Sequence, residues 1–376
     1  MGILLTPLEA FASLHGNGCY QIYHNNLQGG HEMQKEKSGK ITRSIQVCTL
    51  CAVFSAFGWG VQLPVAQATS YNFQTYNDPA DTTFNQLLGI NNAGSISGYY
   101  GSGATGHPNQ GYTLTTPGTY TNENFPGSTQ TQVTGINNVG TTVGFWTNSN
   151  LGTNFGFVDN KGTFTNVNDP AVGSSPAINQ LLGVNDSNIA VGFYLDSNGN
   201  SHSYTYTISS NVFTPITYGN AVSLTASAIN NSNEIAGFYT YAGGTTLGFL
   251  DNNGKFTSLN APNASSTMFF GLNNNGLAVG QATIGSLTEG IVYNSVNFSW
   301  LELNDPLGVG TTTFNGINNS GSIVGFYTDG AGNTDGLLAT PIAATPEPAT
   351  WFLFGTGVVL MGAIGFRRQN GGLLRS

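Results

Sequence analysis

Two short segments carry oxygen-bearing side chains at spacings that could hold a metal ion. One reads DSNGN and the other DGAGNTD. Hard cations such as Ca²⁺ take carboxylate and carbonyl oxygens, so both segments are candidate Ca²⁺ sites, although neither contains a complete EF-hand loop. The candidate ligands are Asp196, Asn198, Asn200, Asp329, Asn333 and Asp335. We expect no other cofactor. Turn formation, in which Asp and Asn bond their own backbone and Pro ends the strand, is the favoured interpretation of the acidic residues in the recurring Asn-Asp-Pro links, and Ca²⁺ binding is the alternative.

A recurring aromatic residue provides a second candidate site, because aromatic rings can stack on sugar rings. It closes a repeated phrase in which Gly-Phe-Tyr is the commonest form, and Ala282 interrupts the series. Its members are Tyr100, Trp146, Tyr194, Tyr239 and Tyr327. Large aromatic side chains also dominate the energetics of protein cores. Packing is therefore the favoured role of these residues, and a ligand-binding face is the alternative.

Catalytic constellations are hard to find in the central part of the chain. Its only histidines are His107 and His202, and a zinc site or a Ser-His-Asp triad would need partners that the sequence does not indicate. Glycoside hydrolysis needs paired carboxylates, but the segments predicted to form the innermost strands contain no Asp or Glu. The sequence therefore favours a non-enzymatic protein. The alternative is a carbohydrate-active enzyme, a glycan hydrolase or lyase on the same scaffold.

Charge further limits the partners. Between Thr69 and Thr345 the only basic residues are Lys161 and Lys255, against 14 acidic residues. Nucleic acids are therefore not expected as partners, because phosphate binding needs basic patches. Polysaccharides, proteins and metal cations stay open.

These residues are carried on six internal repeats. The repeated phrase begins at Gly89 as GINNAGSISGYY and recurs from Gly135, Gly183, Ala228, Gly271 and Gly316, at steps of 46, 48, 45, 43 and 45 residues. Such a period is typical of propeller blades. Abundant Gly, Asn and Thr oppose long helices, and Asn-Asn-x-Gly favours a tight turn between two strands.

Each repeat is predicted to form four strands, A to D. The first segment, Tyr71 to Pro79, resembles a strand D with no A, B or C before it, and the sixth repeat ends after strand C, at Thr340. The orphan strand would complete the last blade and remove exposed sheet edges. We therefore predict that residues 69–341 form an all-β, six-bladed β-propeller closed by its N-terminal strand. A repeat array or a β-sandwich is the weaker alternative. The phrase also resembles the HAF family of extracellular repeats, which implies an extracellular repeat protein without an assigned chemistry.

The N-terminal region has the layout of a secretory signal peptide. From Met33, a basic segment precedes an apolar run and a small-residue cleavage site at Ala66 and Ala68. We predict a signal peptide at residues 33–68, with residues 1–32 as a gene-start extension.

The C-terminal region, residues 342–376, contains Pro346, Glu347 and Pro348, then an apolar run, then Arg367 and Arg368. The apolar run predicts a transmembrane helix over 349–366 with a basic stop, which would leave the preceding residues outside. This order resembles the PEP-CTERM sorting signal of Gram-negative bacteria. The resemblance implies export, transient membrane anchoring, and processing by an exosortase-type membrane protease. It also implies a final location at the cell surface or outside the cell, in association with exopolysaccharide and biofilm. We therefore expect an exported protein with a binding or matrix role, with polysaccharide as a candidate partner.

Overall fold

A computed structural model describes residues 70–148, 153–172 and 177–342. Within these ranges the chain forms 24 strands in six four-stranded antiparallel sheets. Each innermost strand contacts the innermost strand of the next sheet, and the sixth contacts the first. This is a closed six-bladed β-propeller, so the predicted all-β fold is confirmed. The extension at 1–32, the signal peptide at 33–68 and the transmembrane helix at 349–366 lie outside the described residues. No helix within the described ranges is long and apolar enough to cross a membrane.

Blades 1 to 5 take their strands A to D in chain order. Blade 1 contains β2 (Asn85–Ile90), β3 (Ser95–Tyr100), β4 (Gln110–Thr115) and β5 (Thr119–Asn122). Blade 2 contains β6 (Gln130–Ile136), β7 (Thr141–Asn148), β8 (Thr153–Asn160) and β9 (Thr163–Val167). Blade 3 contains β10 (Asn179–Val184), β11 (Ile189–Leu195), β12 (Ser201–Thr207) and β13 (Val212–Ile216). Blade 4 contains β14 (Ser223–Ile229), β15 (Glu234–Thr240), β16 (Thr246–Asn252) and β17 (Lys255–Leu259). Blade 5 contains β18 (Ser266–Leu272), β19 (Leu277–Ile284), β20 (Leu287–Asn294) and β21 (Ser299–Glu302).

Blade 6 combines the two ends of the propeller. Its strands A to C are β22 (Thr312–Ile317), β23 (Ile323–Thr328) and β24 (Thr334–Pro341), and its outer strand is β1 (Tyr71–Thr75). β1 pairs with β24 in a register that joins Tyr71 to Pro341 and Thr75 to Leu337. Phe73 of β1 packs against the buried cluster between blades 5 and 6. The prediction that the orphan N-terminal strand closes the ring is therefore confirmed.

The connections between strands divide the propeller into two faces. We call the face that carries the A-to-B and C-to-D turns the turn face. The opposite face carries the D-to-A links and the B-to-C loops, and we call it the loop face. Strand A of every blade runs from the loop face to the turn face, so the order of residues along strand A gives depth in the central channel.

The hydrophobic core lies between neighbouring blades. One cluster, for example, joins Val143 and Val158 of blade 2 to Leu181 and Tyr204 of blade 3, all of them almost fully buried. Comparable clusters join blades 3 and 4, blades 4 and 5, blades 5 and 6, and blades 6 and 1. Because each blade buries its faces only against its neighbours, closure of the ring is needed to bury them all.

Glycine near the end of strand A allows the strands to meet around the axis. All six A strands carry a β-bulge immediately before this position. A Cβ atom at Gly271 would lie 2.9 Å from the Cα of Gly316 and 2.8 Å from a methyl group of Val279. This close approach explains why five of the six repeats begin with Gly; the fourth begins with Ala228, whose side chain is a single methyl group.

The first asparagine of the repeated Asn-Asn pair forms a closed ring of hydrogen bonds on the turn face. In each blade its Nδ2 donates to the backbone carbonyl of its counterpart in the next blade, at 2.9–3.2 Å, and the sixth returns to the first. Its Oδ1 accepts two backbone N–H groups of its own turn, as Asn137 does from Val139 and Thr141. The ring members are Asn91, Asn137, Asn185, Asn230, Asn273 and Asn318.

The second residue of the pair forms another closed ring. Each backbone N–H donates to the side-chain Oδ1 of its counterpart in the next blade, at 2.7–3.0 Å. The members are Asn92, Asn138, Asp186, Asn231, Asn274 and Asn319. The repeated Asn-Asn pair therefore joins blade to blade as well as forming local turns.

Candidate functional site

The central channel widens at the loop face into a cavity of about 340 Å³. Ligand sites in proteins commonly have volumes of roughly 300–1,000 Å³, so this cavity could hold one small ligand unit. Its walls come from strands A and B of several blades. The lining residues are Gln86, Leu88, Gln132, Thr134, Phe145, Gln180, Leu182, Phe193, Thr225, Ser227, Phe238, Phe270 and Asn315.

Three glutamines at the same position of strand A form an amide arc on the wall. Gln86, Gln132 and Gln180 each lie three residues before the first glycine of the repeated phrase, in blades 1, 2 and 3 respectively. Strand alternation directs this position toward the axis. Each glutamine pairs with an aromatic residue of strand B; Gln132 pairs with Phe145, and Gln180 with Phe193. In blades 2 and 3, therefore, an amide group and an aromatic ring lie side by side on the wall.

The three glutamine side chains differ in the hydrogen bonds that they make within the protein. Gln86 Oε1 accepts a hydrogen bond from the Tyr99 hydroxyl at 3.0 Å, and Gln132 Nε2 donates to Asn109 Oδ1 at 3.0 Å. Within the described part of the chain, the side chain of Gln180 has no hydrogen-bond partner. The amide arc therefore keeps donors and acceptors that can serve a ligand.

The bulged residue of strand A forms the floor of the cavity. Apolar and polar residues alternate around this layer, with Leu88, Leu182 and Phe270 in blades 1, 3 and 5 and Thr134, Ser227 and Asn315 in blades 2, 4 and 6. The three polar residues donate to a backbone carbonyl of the next blade, as Ser227 Oγ does to Phe269 at 2.6 Å. Beneath the floor the channel narrows to a space of about 100 Å³ before it meets the asparagine rings.

The aromatic series singled out in the sequence points away from this cavity. Tyr239 is only 1% exposed and bonds Ser258 of the outer strand of its own blade, and Tyr327 is 2% exposed and bonds Thr75 of β1. Trp146 stacks on Phe125, with ring centroids 4.4 Å apart. Tyr194 is half-buried and stacks on His202. Tyr100 is also half-buried, and its pKa is raised mainly by burial and further by the nearby carboxylates of Asp78 and Asp81.

The residues that do line the cavity are the immediate neighbours of that series. In the phrase Gly-Phe-Tyr of blade 3, Phe193 faces the channel and Tyr194 faces the outer strands. The same offset separates Phe145 from Trp146 and Phe238 from Tyr239. Sequence reasoning missed the cavity residues, although strand alternation combined with an innermost strand A could have identified them.

Asp196 and Asp329 each use their carboxylate within their own loop. Asp196 Oδ1 accepts the backbone N–H of Asn198 and Asn200, and Oδ2 accepts from His202 Nε2 at 2.9 Å. The hydrogen bond from His202, followed by that from the Asn200 backbone, lowers the pKa of Asp196 to about 2. Asp329 bonds the backbone and the side chain of Asn333 in the same way.

The structure does not bring Asp335 into such a loop. It lies in β24, buried, and accepts from Asn77 Nδ2 at 2.6 Å. In the described ranges no cluster of three or more His, Cys, Asp or Glu side chains could hold a metal ion. The Ca²⁺ interpretation stays a prediction.

The acidic residues of the Asn-Asp-Pro links likewise serve the backbone. Asp78, Asp169 and Asp305 each accept, through Oδ1, the N–H of the residue two positions later, at 2.8–2.9 Å. These carboxylates shape the D-to-A links, and none of them lines the cavity. The signal cleavage residues Ala66 and Ala68 and the sorting residues Pro346, Glu347, Pro348, Arg367 and Arg368 lie outside the described residues.

Comparison with protein families identifies a PEP-CTERM protein-sorting motif at residues 344–369. This finding supports the predicted C-terminal signal, and the HAF resemblance of the repeats has no such support. No curated protein matches the chain.

Among solved structures, TolB from Acinetobacter baumannii is similar, with a TM-score of 0.46 and 10% sequence identity. The match covers 58% of this chain and 54% of TolB, so the chain spans about half of the TolB length. A fungal lectin from Aleuria aurantia, described as a six-bladed β-propeller with a novel fucose recognition mode, has a TM-score of 0.44 and 12% identity over 72% of this chain and 98% of its own. At these TM-scores the likenesses assign neither a ligand nor an activity. What the chain does carry is a C-terminal motif that implies export and membrane anchoring before processing.

Proposed function

We propose that this protein is an exported, surface-held propeller that binds an uncharged glycan in the cavity at the loop face. The observation that carries the proposal is the composition of the cavity wall. It combines three glutamine amides, the hydroxyl groups of Thr134, Thr225 and Ser227, and the aromatic rings of four phenylalanines, with no charged side chain among its described lining residues.

This chemistry matches a sugar better than it matches the other ligand classes. Sugar hydroxyl groups both donate and accept hydrogen bonds, as do glutamine amides. The hydroxyl groups of Thr134 and Ser227 donate their protons to backbone carbonyls and can still accept. The apolar faces of sugar rings can pack on aromatic rings. A phosphorylated or carboxylated ligand would find no basic partner in the wall, and the protein's two lysines in this region lie on the turn face.

The cellular part of the proposal depends on the C-terminal motif. A PEP-CTERM motif implies export and anchoring before processing, which would bring the propeller into contact with extracellular polysaccharide. We propose processing by an exosortase-type protease, release to the cell surface or the medium of a Gram-negative bacterium, and a role in the exopolysaccharide matrix. We also propose that the six repeats are related to the HAF family of extracellular repeats.

Binding without cleavage is the preferred form of the function. Hydrolysis of a glycosidic bond needs two carboxylates on either side of that bond. The six A strands contain no Asp or Glu, and the loop-face carboxylates of Asp78, Asp169 and Asp305 are engaged in turns. A wall of amides and rings can hold a sugar but offers no general acid.

The test is incubation of the purified exported protein with a panel of immobilised bacterial polysaccharides, both neutral and acidic. We expect retention on at least one neutral polysaccharide, with no shortening of the chain by size analysis. Release of oligosaccharides would assign an enzyme instead. Failure to bind any neutral member, or preference for acidic members, would contradict the proposal.

A further inference from the structure

Both described ends of the propeller leave from the turn face. β24 ends at Pro341, beside the A-to-B turn of blade 6, where a Cβ at Gly321 would lie 3.6 Å from Pro341 Cγ. The backbone N–H of Ile342 donates to the carbonyl of Ser70 at 3.0 Å, so the first described residue lies at the same place. The sorting motif begins at residue 344, only two residues further along the chain.

The turn face also exposes an apolar pair in the C-to-D turn of blade 5. The side chain of Val296 is 61% exposed and that of Phe298 is 75% exposed, the largest value among the exposed large apolar residues of the described chain. Phe298 has a φ of 59°. The equivalent turn residues Lys161, Asn211 and Asn253 are also left-handed, so this conformation belongs to the turn, but it is unfavourable for a bulky apolar residue such as Phe.

The basic residues of the propeller lie on the same face. Lys161 and Lys255 occupy the C-to-D turns of blades 2 and 4, are exposed, and form no ion pair with any described residue. The acids of these turns, Asp159 and Asp251, are buried and accept the backbone N–H of Gly162 and Gly254. At these two turns, therefore, the lysines are exposed to solvent and the carboxylates are not. The remaining acids of this face are half-buried: Asp186 bonds Asn138 and Asn231, and Glu234 bonds Asn230.

We infer that the turn face is a membrane-facing surface: while the C-terminal tail is anchored, it lies against anionic lipid, and the glycan cavity faces away from the membrane. Val296 and Phe298 then enter the boundary between headgroups and acyl chains, and the two lysines lie near lipid phosphates. This inference does not depend on the identity of the ligand.

The length of the connection supports this orientation. Six residues, 343–348, lie between Ile342 and the start of the predicted apolar span at residue 349, and the seven Cα-to-Cα steps reach at most about 25 Å when fully extended. The eight residues of β24 cover about 26 Å from one face to the other. The loop face could therefore not contact the bilayer without the connection being stretched along the whole blade, whereas the turn face can.

The test uses two matched single-cysteine variants of the full chain, in a background where Cys19, Cys48 and Cys51 are replaced by serine. Val296→Cys is on the turn face and Val309→Cys is on the loop face, and the two valines are almost equally exposed, at 61% and 63%. Each variant is labelled with an environment-sensitive fluorophore. It is then reconstituted into vesicles of phosphatidylethanolamine and phosphatidylglycerol that contain nitroxide-labelled lipid.

We expect several-fold stronger quenching at position 296 than at position 309, and we expect Phe298→Ser to reduce the quenching at 296. Equal quenching at the two positions, stronger quenching at 309, or no quenching at either position in chains that remain bound to vesicles after alkaline washing would each overturn the inference. A β-rich circular dichroism spectrum with a cooperative thermal transition verifies that each variant is folded.

Discussion

Replacement of Asn137 by alanine tests whether the asparagine rings stabilise the closed propeller. The Asn137 side chain is 3% exposed and makes four hydrogen bonds. Nδ2 donates to the Asn185 carbonyl at 2.9 Å and to Asn188 Oδ1 at 3.0 Å, and Oδ1 accepts from Val139 and Thr141 at 3.1 and 2.9 Å. At about 1 kcal/mol net for each of the four bonds the loss is about 4 kcal/mol, and buried groups left unpaired would add to it.

The neighbouring Asn138 provides a matched control. It is the same residue type in the same turn, and its side chain also accepts from one adjacent blade and donates to the other, bonding Asn92 and Asp186. It is exposed, however, so water can replace both partners, and Asn138→Ala is expected to cost about 1 kcal/mol or less. The free energy of unfolding is measured by urea titration of both variants. If Asn137→Ala costs no more than Asn138→Ala, the proposed role of the buried ring is refuted.

Two further predictions concern the buried acid between blades 1 and 2 and the closing strand. Burial raises the pKa of Glu123, which bonds Thr142, from 4.5 to about 7. Between these values the folded protein binds a proton that the unfolded chain has lost, so this group makes stability fall as pH rises through that window. Above pH 7, Glu123→Gln should therefore raise the free energy of unfolding by up to about 3 kcal/mol relative to its effect below pH 4.5. Urea titrations of both proteins at the two pH values measure this effect, and an effect that does not depend on pH would contradict the prediction. In β1, Phe73→Asp should cost roughly 2 kcal/mol or more, because Phe73 packs on the core between blades 5 and 6, whereas Asn72→Asp on the exposed side should cost little. Similar thermal shifts for the two variants would argue against closure by this strand.

The architecture could be predicted because its signals are local and repeated. The phrase at Gly89 and its five counterparts defines the number of blades, and the unmatched segment at Tyr71 defines the closure that the structure shows. The ends of the observed A strands lie within two residues of those expected from the repeated phrase, at 86–90, 132–136, 180–184, 225–229, 268–272 and 313–317.

The cavity was not predicted, because the repeated phrase by itself does not indicate which side of each strand faces the axis; that requires strand alternation to be combined with the position of strand A. Tyr194 and Phe193 are adjacent and equally aromatic, yet only Phe193 lines the channel. Gln180 and Leu182 are two residues apart and both line the cavity, as alternation requires, but the sequence does not indicate that the β-bulge leaves Leu182 unpaired or that Gly183 packs against the neighbouring strand. The hydrogen-bonded rings formed by Asn185 and its counterparts were not predicted either, because Asn-Asn-x-Gly predicts a turn whether or not another blade lies beside it.

The most direct test of the proposed function is a comparison of two glutamine-to-leucine variants on the neutral polysaccharide that retains the wild-type protein. Gln180→Leu removes an amide from the cavity wall, whereas Gln74→Leu makes the same change on the exposed outer strand β1. We predict that Gln180→Leu weakens binding at least tenfold by titration calorimetry, which corresponds to about 1.4 kcal/mol, while Gln74→Leu binds as the wild type does. Unchanged binding by Gln180→Leu would show that the glycan does not occupy the cavity.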